Sequence, residues 1–178
     1  MKCIICGSEG VKKVERDGDE YYLCDKGHLE PRVKLPLGDF SARQTSKGLA
    51  HVSVGAVIKD GDKVLLINRR KYPFAYTIPA GHLEEEEPEK AVRREVEEET
   101  GLEIKDFKLV GHYAPFYDPC RGGADYHEWY LFGAEHPGGD LRMDSEGKDI
   151  GFYSPEEIKS FKLTIPTRKF LKELGIVD

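Results

Sequence analysis

The chain has 178 residues with a formal net charge of -6, and 39% of its residues are hydrophobic and 34% charged. This length exceeds one domain of the common size and falls short of two, so we expect one main core with a small appendage. The negative charge excludes a general affinity for nucleic acid, which needs a basic surface. No apolar run is long enough for a membrane span or a signal peptide, so we expect a cytoplasmic protein with no membrane partner.

The first 36 residues are predicted to form a unit of their own, a small zinc ribbon. Cys3 and Cys6 form one ligand pair, Cys24 and His28 form a second, and 17 residues separate the two pairs. Four such ligands at this spacing are typical of a tetrahedral zinc site, and disulfides are the poorer explanation inside a cell. Because a segment this short needs a staple to fold, we predict structural Zn²⁺ here.

Two alternatives to a complete zinc site stay open, because Gly27 stands where a ribbon usually has its fourth cysteine. The ribbon has either lost its metal or is completed by Cys120, which is otherwise predicted to be a lone thiol in a loop. Within the ribbon, residues 16–19 are predicted to turn between two short strands. Residues 30–39 contain two prolines and predict an extended connector to the main domain, which we place at residues 37–178.

The main domain alternates strand and helix patterns along the chain. Strands are predicted at residues 51–59, 63–69, 76–79, 103–111 and 126–134, and helices at residues 88–100, 155–160 and 167–174. The Asp-Gly-Asp sequence of residues 60–62 predicts a hairpin turn, and residues 114–124 predict a loop rich in proline and glycine. This order predicts an α+β fold in which a mixed sheet lies between helices on its two faces.

Acidic residues are concentrated in residues 81–102, which contain nine glutamates and three lysines or arginines. On a helix, Glu95, Glu98 and Glu99 stand at positions i, i+3 and i+4 and therefore share one face. Hard carboxylate oxygens suit Mg²⁺ or Mn²⁺, so this face predicts a divalent metal site. Composition alone leaves open a solvated helix whose glutamates pair with neighbouring basic residues.

The order of residues in this segment resembles the Nudix box. Residues 94–102, Arg-Glu-Val-Glu-Glu-Glu-Thr-Gly-Leu, match the second half of that motif position by position, and residues 79–84 resemble the strand and loop that lead into it. The motif has five residues between its first glycine and its first glutamate, whereas four residues separate Gly81 from Glu86 here. The loop is one residue short, and either Glu86 or Glu87 takes the position of that glutamate.

The resemblance to the Nudix family implies a fold and a set of roles. The fold is an α/β/α sandwich with a mixed sheet, and the box binds Mg²⁺ or Mn²⁺ against a diphosphate. By position in the motif, the implied metal ligands are Glu95, Glu98, Glu99 and the carbonyl group of Gly81. Arg94 is implied to orient the carboxylates by ion pairing, and the first box glutamate to steady the loop. The general base is either Glu98 or a carboxylate on a distal loop, for which the candidate is Glu146.

A zinc ribbon before a Nudix domain resembles the architecture of NADH pyrophosphatases and NAD-decapping enzymes, and other members of the family act on ADP-ribose. Residues 112–119 lack the signature of the NADH enzymes, so a preference for NADH is not carried over. Phe116 and Tyr117 are candidates for stacking a base, and Arg69 is a candidate for contacting phosphate or ribose. Four other side chains are interpreted as structural: Trp129, Tyr130, His51 and His127.

The predicted function is hydrolysis of the diphosphate linkage of a nucleoside diphosphate derivative such as ADP-ribose or NADH. Water attacks phosphorus with the help of metal, and a nucleoside monophosphate is released. The alternative is a non-catalytic nucleotide sensor or nucleic-acid-binding protein that uses the ribbon as its contact. Residues 1–36 carry seven basic and seven acidic residues, so they offer no net positive charge for that role. A capped RNA stays open as a substrate, and a homodimer as an assembly.

Overall fold

The computed structural model describes residues 3, 6–31, 42–70, 74–118, 120, 123–143, 145 and 147–178. Its first part is an antiparallel sheet of three strands, β1 (Val11–Arg16), β2 (Asp19–Cys24) and β3 (Leu29–Pro31), in that order. Asp17 and Gly18 have φ values of 53° and 84°, as a two-residue hairpin turn requires. The predicted turn is therefore confirmed. The first two residues of the predicted connector, Glu30 and Pro31, belong to β3. Residues 32–39 of the connector, and with them the proposed domain boundary, lie outside the described residues.

The other strands form one mixed sheet. They are β4 (Ala42–Thr45), β5 (Gly48–Asp60), β6 (Lys63–Arg69), β7 (Tyr76–Thr77), β8 (Ala80–His82), β9 (Phe107–Phe116), β10 (Tyr126–Glu135) and β11 (Gly147–Tyr153). The path across the sheet is β11-β6-β5-β10-β9, while β4 and β8 pair with β5, and β7 pairs with β6. β5 and β10 are parallel, with His127 beside His51, whereas β5 pairs with β8 in the antiparallel sense. The long central strand β5 therefore meets both the start of the acidic segment and β10.

Helices cover both faces of this sheet and divide the core into two clusters. The helix α1 (Pro88–Thr100) buries Val92 and Val96 against one face, together with Val54 and Ile58 of β5. The short helices α2 (Pro155–Ile158) and α3 (Ile165–Glu173) bury apolar side chains against the other face, next to Trp129. Apolar burial on both faces stabilises a three-layer arrangement. The predicted α/β/α sandwich with a mixed sheet is confirmed.

The ends of α1 explain why its sequence limits could be predicted to the residue. Pro88 occupies the first turn, where a missing backbone N–H costs no hydrogen bond. Gly101 has a φ of 75° and donates its backbone N–H to the carbonyl oxygen of Glu97. This left-handed conformation ends the helix and favours glycine because it lacks Cβ.

The region after α1 differs from the prediction. The strand β9 begins at Phe107 and continues to Phe116, so the strand predicted at residues 103–111 and the loop predicted from residue 114 are both wrong in their limits. Ile104 is buried in the cluster beneath α1 although it precedes the strand. Its apolar character therefore reflects contact with the helix side of the core rather than strand pairing.

The N-terminal sheet contacts the main domain at the segment that leads into β10. The hydroxyl group of Tyr22 donates to the carbonyl oxygen of Gly123 at 2.7 Å, and the Lys13 ammonium lies 2.6 Å from Oδ1 of Asp125. Asp125 also accepts a hydrogen bond from the backbone N–H of Leu49 at 2.9 Å. These contacts fix the segment before β10 between the two sheets.

None of the helices in the described part of the chain has the length and apolar content needed to cross a bilayer.

Candidate active site

Arg94 lies at the centre of the acidic site. Its guanidinium donates to Oε1 of Glu86 at 2.9 Å from Nε and to Oε1 of Glu95 at 2.8 Å from Nη1. It also donates to the carbonyl oxygen of His82 at 3.1 Å and reaches Oε2 of Glu98 at 3.3 Å. The planar arrangement of five N–H donors suits several acceptors in different directions. Arg94 therefore connects the helix to the loop that precedes it.

These contacts distinguish the two candidates for the first glutamate of the box. Glu86 reaches Arg94, with 2.7 Å between its Oε1 and Nη2 of Arg94. Glu87 instead occupies the N-cap position of α1, where its backbone is extended and its side chain makes no capping hydrogen bond. Glu86 is therefore the glutamate that joins the loop to the helix, through its ion pair with Arg94. It does so although the loop is one residue shorter than in the motif.

The carboxylate of Glu95 packs against the backbone of Gly81. A Cβ atom added at position 81 would overlap that carboxylate, so the close approach requires glycine. The Glu95 side chain is 13% exposed, whereas that of Glu98 is 61% exposed. Burial raises the pKa of the Glu95 carboxyl group above its ordinary value. The positive charge of Arg94 opposes this rise, and the nearby charge of Glu98 adds to it.

Glu99 is held by the backbone of Ala80, the residue before Gly81. Its Oε2 accepts a hydrogen bond from the backbone N–H of Ala80 at 2.8 Å. Because Ala80 and Gly81 belong to β8, which pairs with β5, the sheet fixes the position of Glu99 relative to Glu95. Glu98 faces an open cleft that is also lined by Glu97, Gly101, Arg142 and Met143.

These residues fit a hard divalent ion in chemistry. Glu95, Glu98 and Glu99 supply carboxylate oxygens, which are the donors that Mg²⁺ and Mn²⁺ prefer. In the described part of the chain, their oxygens are not among the groups that lie within 4.8 Å of one another. Arg94 contacts Glu95 and Glu98, whereas Glu99 is bound by the Ala80 amide. Burial is the main cause of the raised pKa of Glu95, and the charges of Glu98 and Glu84 add to it, so a bound cation would stabilise the ionised carboxylate.

The candidates for substrate contact are placed differently from one another. Desolvation lowers the pKa of the His82 imidazole most, the charges of His51 and His127 lower it further, and the charge of Arg69, at the end of β6, makes the smallest of these contributions. Tyr117 is 50% exposed and packs edge-on against Tyr126. Phe116 is buried in the second core cluster against Phe170. Its burial indicates packing rather than the expected contact with a base.

Glu146, the second candidate for the general base, lies outside the described residues, so its prediction has no structural counterpart. The loop that carries it returns to the site at Arg142, whose backbone N–H donates to the carbonyl oxygen of Thr100 at 2.8 Å. The chain then enters β11 at Gly147, which is paired with Arg69.

The predicted zinc ligands come together at one end of the N-terminal sheet. The Sγ and ring nitrogen atoms of Cys3, Cys6, Cys24 and His28 all lie within 4.8 Å of one another, and the cysteines form no disulfide. Gly27 has a φ of 83°, which turns the chain so that Nδ1 of His28 comes to 3.3 Å from Sγ of Cys24. Burial raises the pKa of the Cys24 thiol, but backbone N–H groups of His28 and Lys26 lower it to about 7.

Cys120 does not complete this cluster. Its Sγ lies 3.4 Å from Nδ1 of His51, within the main domain. Burial raises the pKa of the Cys120 thiol, but hydrogen bonds to His127 and His51 lower it to about 6. Cys120 is therefore not a lone thiol as predicted, because two histidines of the sheet, His51 and His127, contact it.

A histidine group beside the acidic site was missed by the sequence analysis, which interpreted His51 and His127 as structural. Nitrogen atoms of His51, His82 and His127 all lie within 4.8 Å of one another. Nδ1 of His127 donates to Oδ1 of Asp118 at 2.5 Å, and this carboxylate raises the pKa of His127 to about 10 although burial lowers it. The three histidines come from three strands and carry no common motif, so no local signal could have grouped them.

Comparison with known proteins places the main domain in a family. A family model described as the NUDIX domain matches residues 49–174. The chain is 32% identical over 125 residues to the ADP-ribose pyrophosphatase of Methanocaldococcus jannaschii, across 68% of this chain and 71% of that protein. It is 43% identical over 86 residues to the ADP-ribose pyrophosphatase of Bacillus subtilis, across 46% of each.

A solved structure supports the same relationship. The MutT NUDIX hydrolase from Burkholderia pseudomallei superposes with a TM-score of 0.61 at 26% identity, over 69% of this chain and 96% of that chain. The residues that the family model matches include the whole acidic segment and leave the cysteine cluster outside.

Proposed function

Because the chain belongs to the NUDIX domain family, we propose that it is a metal-dependent pyrophosphohydrolase whose substrate is ADP-ribose or a closely related nucleoside diphosphate derivative. One observation carries this proposal. The carboxylate of Glu95 is fixed between the backbone of Gly81 and the guanidinium of Arg94, on the helix face that also carries Glu98 and Glu99. The relatives named as ADP-ribose pyrophosphatases support the choice of substrate.

The metal ligands that we propose are Glu95, Glu98, Glu99 and the carbonyl group of Gly81. When bound, Mg²⁺ or Mn²⁺ lowers the pKa of a coordinated water and neutralises charge on the phosphates. The chain contributes the positions of these ligands. Arg94 orients Glu95 and Glu98, and the Ala80 amide orients Glu99.

The reaction that this arrangement supports is attack of water on phosphorus in line with the departing group. A bond forms between the water oxygen and phosphorus, and the bridging phosphorus–oxygen bond breaks, with its electron pair leaving on the departing phosphate. A carboxylate takes the proton from the water. Glu98 is our candidate for this base because its side chain is 61% exposed, whereas that of Glu95 is 13% exposed, and Glu146 stays the alternative.

Substrate recognition is proposed for the sheet face next to His82. Arg69 is positioned to meet a phosphate or the terminal ribose, since its charge already acts on His82, the residue after Gly81. Tyr117 offers an exposed aromatic face for the base. Asp118, the residue after Tyr117, is fixed to His127 by the hydrogen bond at 2.5 Å.

The test is turnover of a substrate panel in Mg²⁺ or Mn²⁺. We expect release of AMP from ADP-ribose in preference to NADH, nucleotide sugars, dinucleoside polyphosphates and nucleoside triphosphates. Glu98→Gln and Glu99→Gln are expected to lower kcat by at least about a hundredfold, because each removes a charge from the reacting centre. Glu89→Gln is the matched control, since Glu89 lies exposed in the first turn of the same helix, outside the cleft that Glu98 lines.

Three results would contradict the proposal in whole or in part. If no member of the panel is turned over, the hydrolase proposal is wrong. If a triphosphate is the preferred substrate, the hydrolase proposal stands and the choice of ADP-ribose is wrong. Equal turnover by the wild-type chain and Glu99→Gln would remove the box from the mechanism.

We also propose that Cys3, Cys6, Cys24 and His28 bind structural Zn²⁺. Three sulfur atoms and one imidazole nitrogen are a donor set that zinc takes in tetrahedral sites, and their mutual distances support this use. Metal analysis after dialysis tests it: Cys6→Ser should lose one zinc per chain, and Ser8→Ala, a neighbouring change outside the cluster, should keep it. Equal zinc content in both variants would refute the site.

A further inference from the structure

We propose that His51, His82 and His127 form a second metal site, separate from the box, that binds a borderline divalent ion such as Zn²⁺ or Co²⁺ with Cys120 as a sulfur donor. The three histidines belong to β5, β8 and β10. Pairing of β5 with both other strands brings His127 opposite His51 and His82 opposite Ser53. Nitrogen atoms of all three rings consequently lie within 4.8 Å of one another.

The hydrogen bond of His127 supports a role as a ligand. Nδ1 of His127 donates to the buried carboxylate of Asp118 at 2.5 Å. This bond fixes the orientation of the ring and leaves Nε2 as the nitrogen available to an ion. A carboxylate that holds the second nitrogen of a ligating histidine is a regular feature of metal sites. Asp118 and His127 are each about 95% buried, so this pair is not a chance surface contact.

The distance from Cys120 to His51 agrees with a shared tetrahedral ion, although in the described part of the chain Sγ of Cys120 is not within 4.8 Å of the nitrogens of all three histidines. With zinc–nitrogen and zinc–sulfur bonds of about 2.0 and 2.3 Å, a tetrahedron places nitrogen and sulfur ligands about 3.5 Å apart. Sγ of Cys120 lies 3.4 Å from Nδ1 of His51. Both side chains are buried, and thiolate with carboxylate nearby provides the negative charge that balances a cation.

His82 is the ligand that must move, and its surroundings allow it. The rings of His51 and His82 are stacked, with centroids 3.7 Å apart and planes 9° apart. Two rings that are parallel in this way cannot both direct a lone pair at one ion, so His82 has to tilt. His82 is exposed whereas His51 is buried, and rotation of an exposed side chain leaves the core packing intact. The exposed side also gives an ion access from solvent.

The donor chemistry separates this site from the box. Imidazole and thiol groups select zinc, cobalt, nickel or copper, whereas the carboxylates of the box suit magnesium and manganese. The two sites are adjacent, because His82 directly follows Gly81 in β8. This proposal does not depend on the hydrolase activity, because it concerns metal binding alone. Of the four proposed ligands, His82 lies in the acidic segment and the other three lie outside it.

The test is metal content of the full chain in the presence of excess Mg²⁺, which occupies the carboxylates. We expect the wild-type chain to bind one Zn²⁺ more than the double variant His51→Gln/His127→Gln, while Glu99→Gln retains that ion. His112→Gln is the matched control, since His112 lies on the neighbouring strand β9 outside the group. Loss of the same ion in the control, or equal zinc content in the wild-type chain and the double variant, would overturn the proposal.

Three further variants keep the test decisive if the double variant fails to fold. Asp118→Asn should weaken zinc binding by about 10–100-fold, as loss of a carboxylate behind a ligating histidine does. His82→Gln changes an exposed side chain and should also weaken binding by at least tenfold. In Co²⁺-loaded protein, Cys120→Ser should lower the thiolate-to-cobalt absorption below that of the wild-type chain, and the absorption that remains comes from the three cysteines of the N-terminal cluster. Unchanged affinity in both Asp118→Asn and His82→Gln would refute the site.

Discussion

The carboxylate of Glu95 fills the space that a side chain at position 81 would occupy, next to Gly81. Glycine is therefore required at this point of β8 by the position of a helix side chain rather than by an unusual φ angle. The flexible end of a glutamate could ordinarily yield to a methyl group. Here it is held by Arg94 at 2.8 Å, so a change at position 81 is transmitted to the proposed metal ligand.

We expect Gly81→Ala to lower kcat/KM for ADP-ribose by about a hundredfold, because displacement of a reacting group by about 1 Å has an effect of that size. The protein should stay folded, with a Tm close to that of the wild type. Steady-state kinetics and a thermal melt measure both quantities. Gly151→Ala is the control, since a Cβ there meets Tyr153 at an ordinary contact distance of 3.4 Å. Equal activity of the two variants would contradict the role of this contact.

Arg94→Lys should lower kcat/KM by about tenfold or more. A lysine keeps the charge but cannot donate at once to Glu86, Glu95 and the carbonyl of His82, and one lost charged hydrogen bond is worth roughly tenfold. Arg93→Lys serves as the control because the neighbouring Arg93 donates to the backbone oxygens of Ile104 and Lys105, away from the site. The idea fails if both lysine variants retain wild-type kinetics.

Glu95→Gln should abolish activity and yet raise the Tm of the metal-free protein at neutral pH. Folding raises the pKa of Glu95, chiefly through burial, so the ionised carboxylate opposes folding at any pH above that raised pKa. The neutral amide removes this cost.

The gain in Tm from Glu95→Gln should shrink as the pH falls through the raised pKa, and it should vanish below the ordinary pKa, where the carboxyl group is protonated in both states. Melting curves across this range in the presence of a chelator measure the trend. Glu97→Gln, on the exposed side of the same helix, should leave the Tm unchanged. A Tm gain that grows on acidification would have the wrong sign.

Gly101→Ala should lower the free energy of unfolding by about 1 kcal/mol or more, because a left-handed residue with a Cβ is strained. The added Cβ would also come within 3.0 Å of Cβ of Arg142. Urea denaturation measures the change. Gly175→Ala isolates the backbone part, since Gly175 has a φ of 68° and open space around it. A smaller loss in Gly101→Ala than in Gly175→Ala would contradict the crowding at Arg142.

The sequence by itself determined the features that depend on neighbours along the chain. The helix α1 has the predicted limits because Pro88 and Gly101 act at its two ends through their own backbone geometry. The turn at Asp17 and Gly18 follows from the same local preference. The family assignment is also confirmed, because a motif with fixed spacing on one helix carries its own register.

Only the tertiary structure decided which distant residues meet. His51 and His127 are 76 positions apart in the sequence and become neighbours through the parallel pairing of β5 and β10. The packing of α3 against the sheet buries Phe116, whereas the adjacent Tyr117 is exposed. Strand register and helix packing arise from the sum of many contacts across the core, so no short segment specifies them. The carboxylate face of the box could be predicted from one helix, and the histidine group beside it could not.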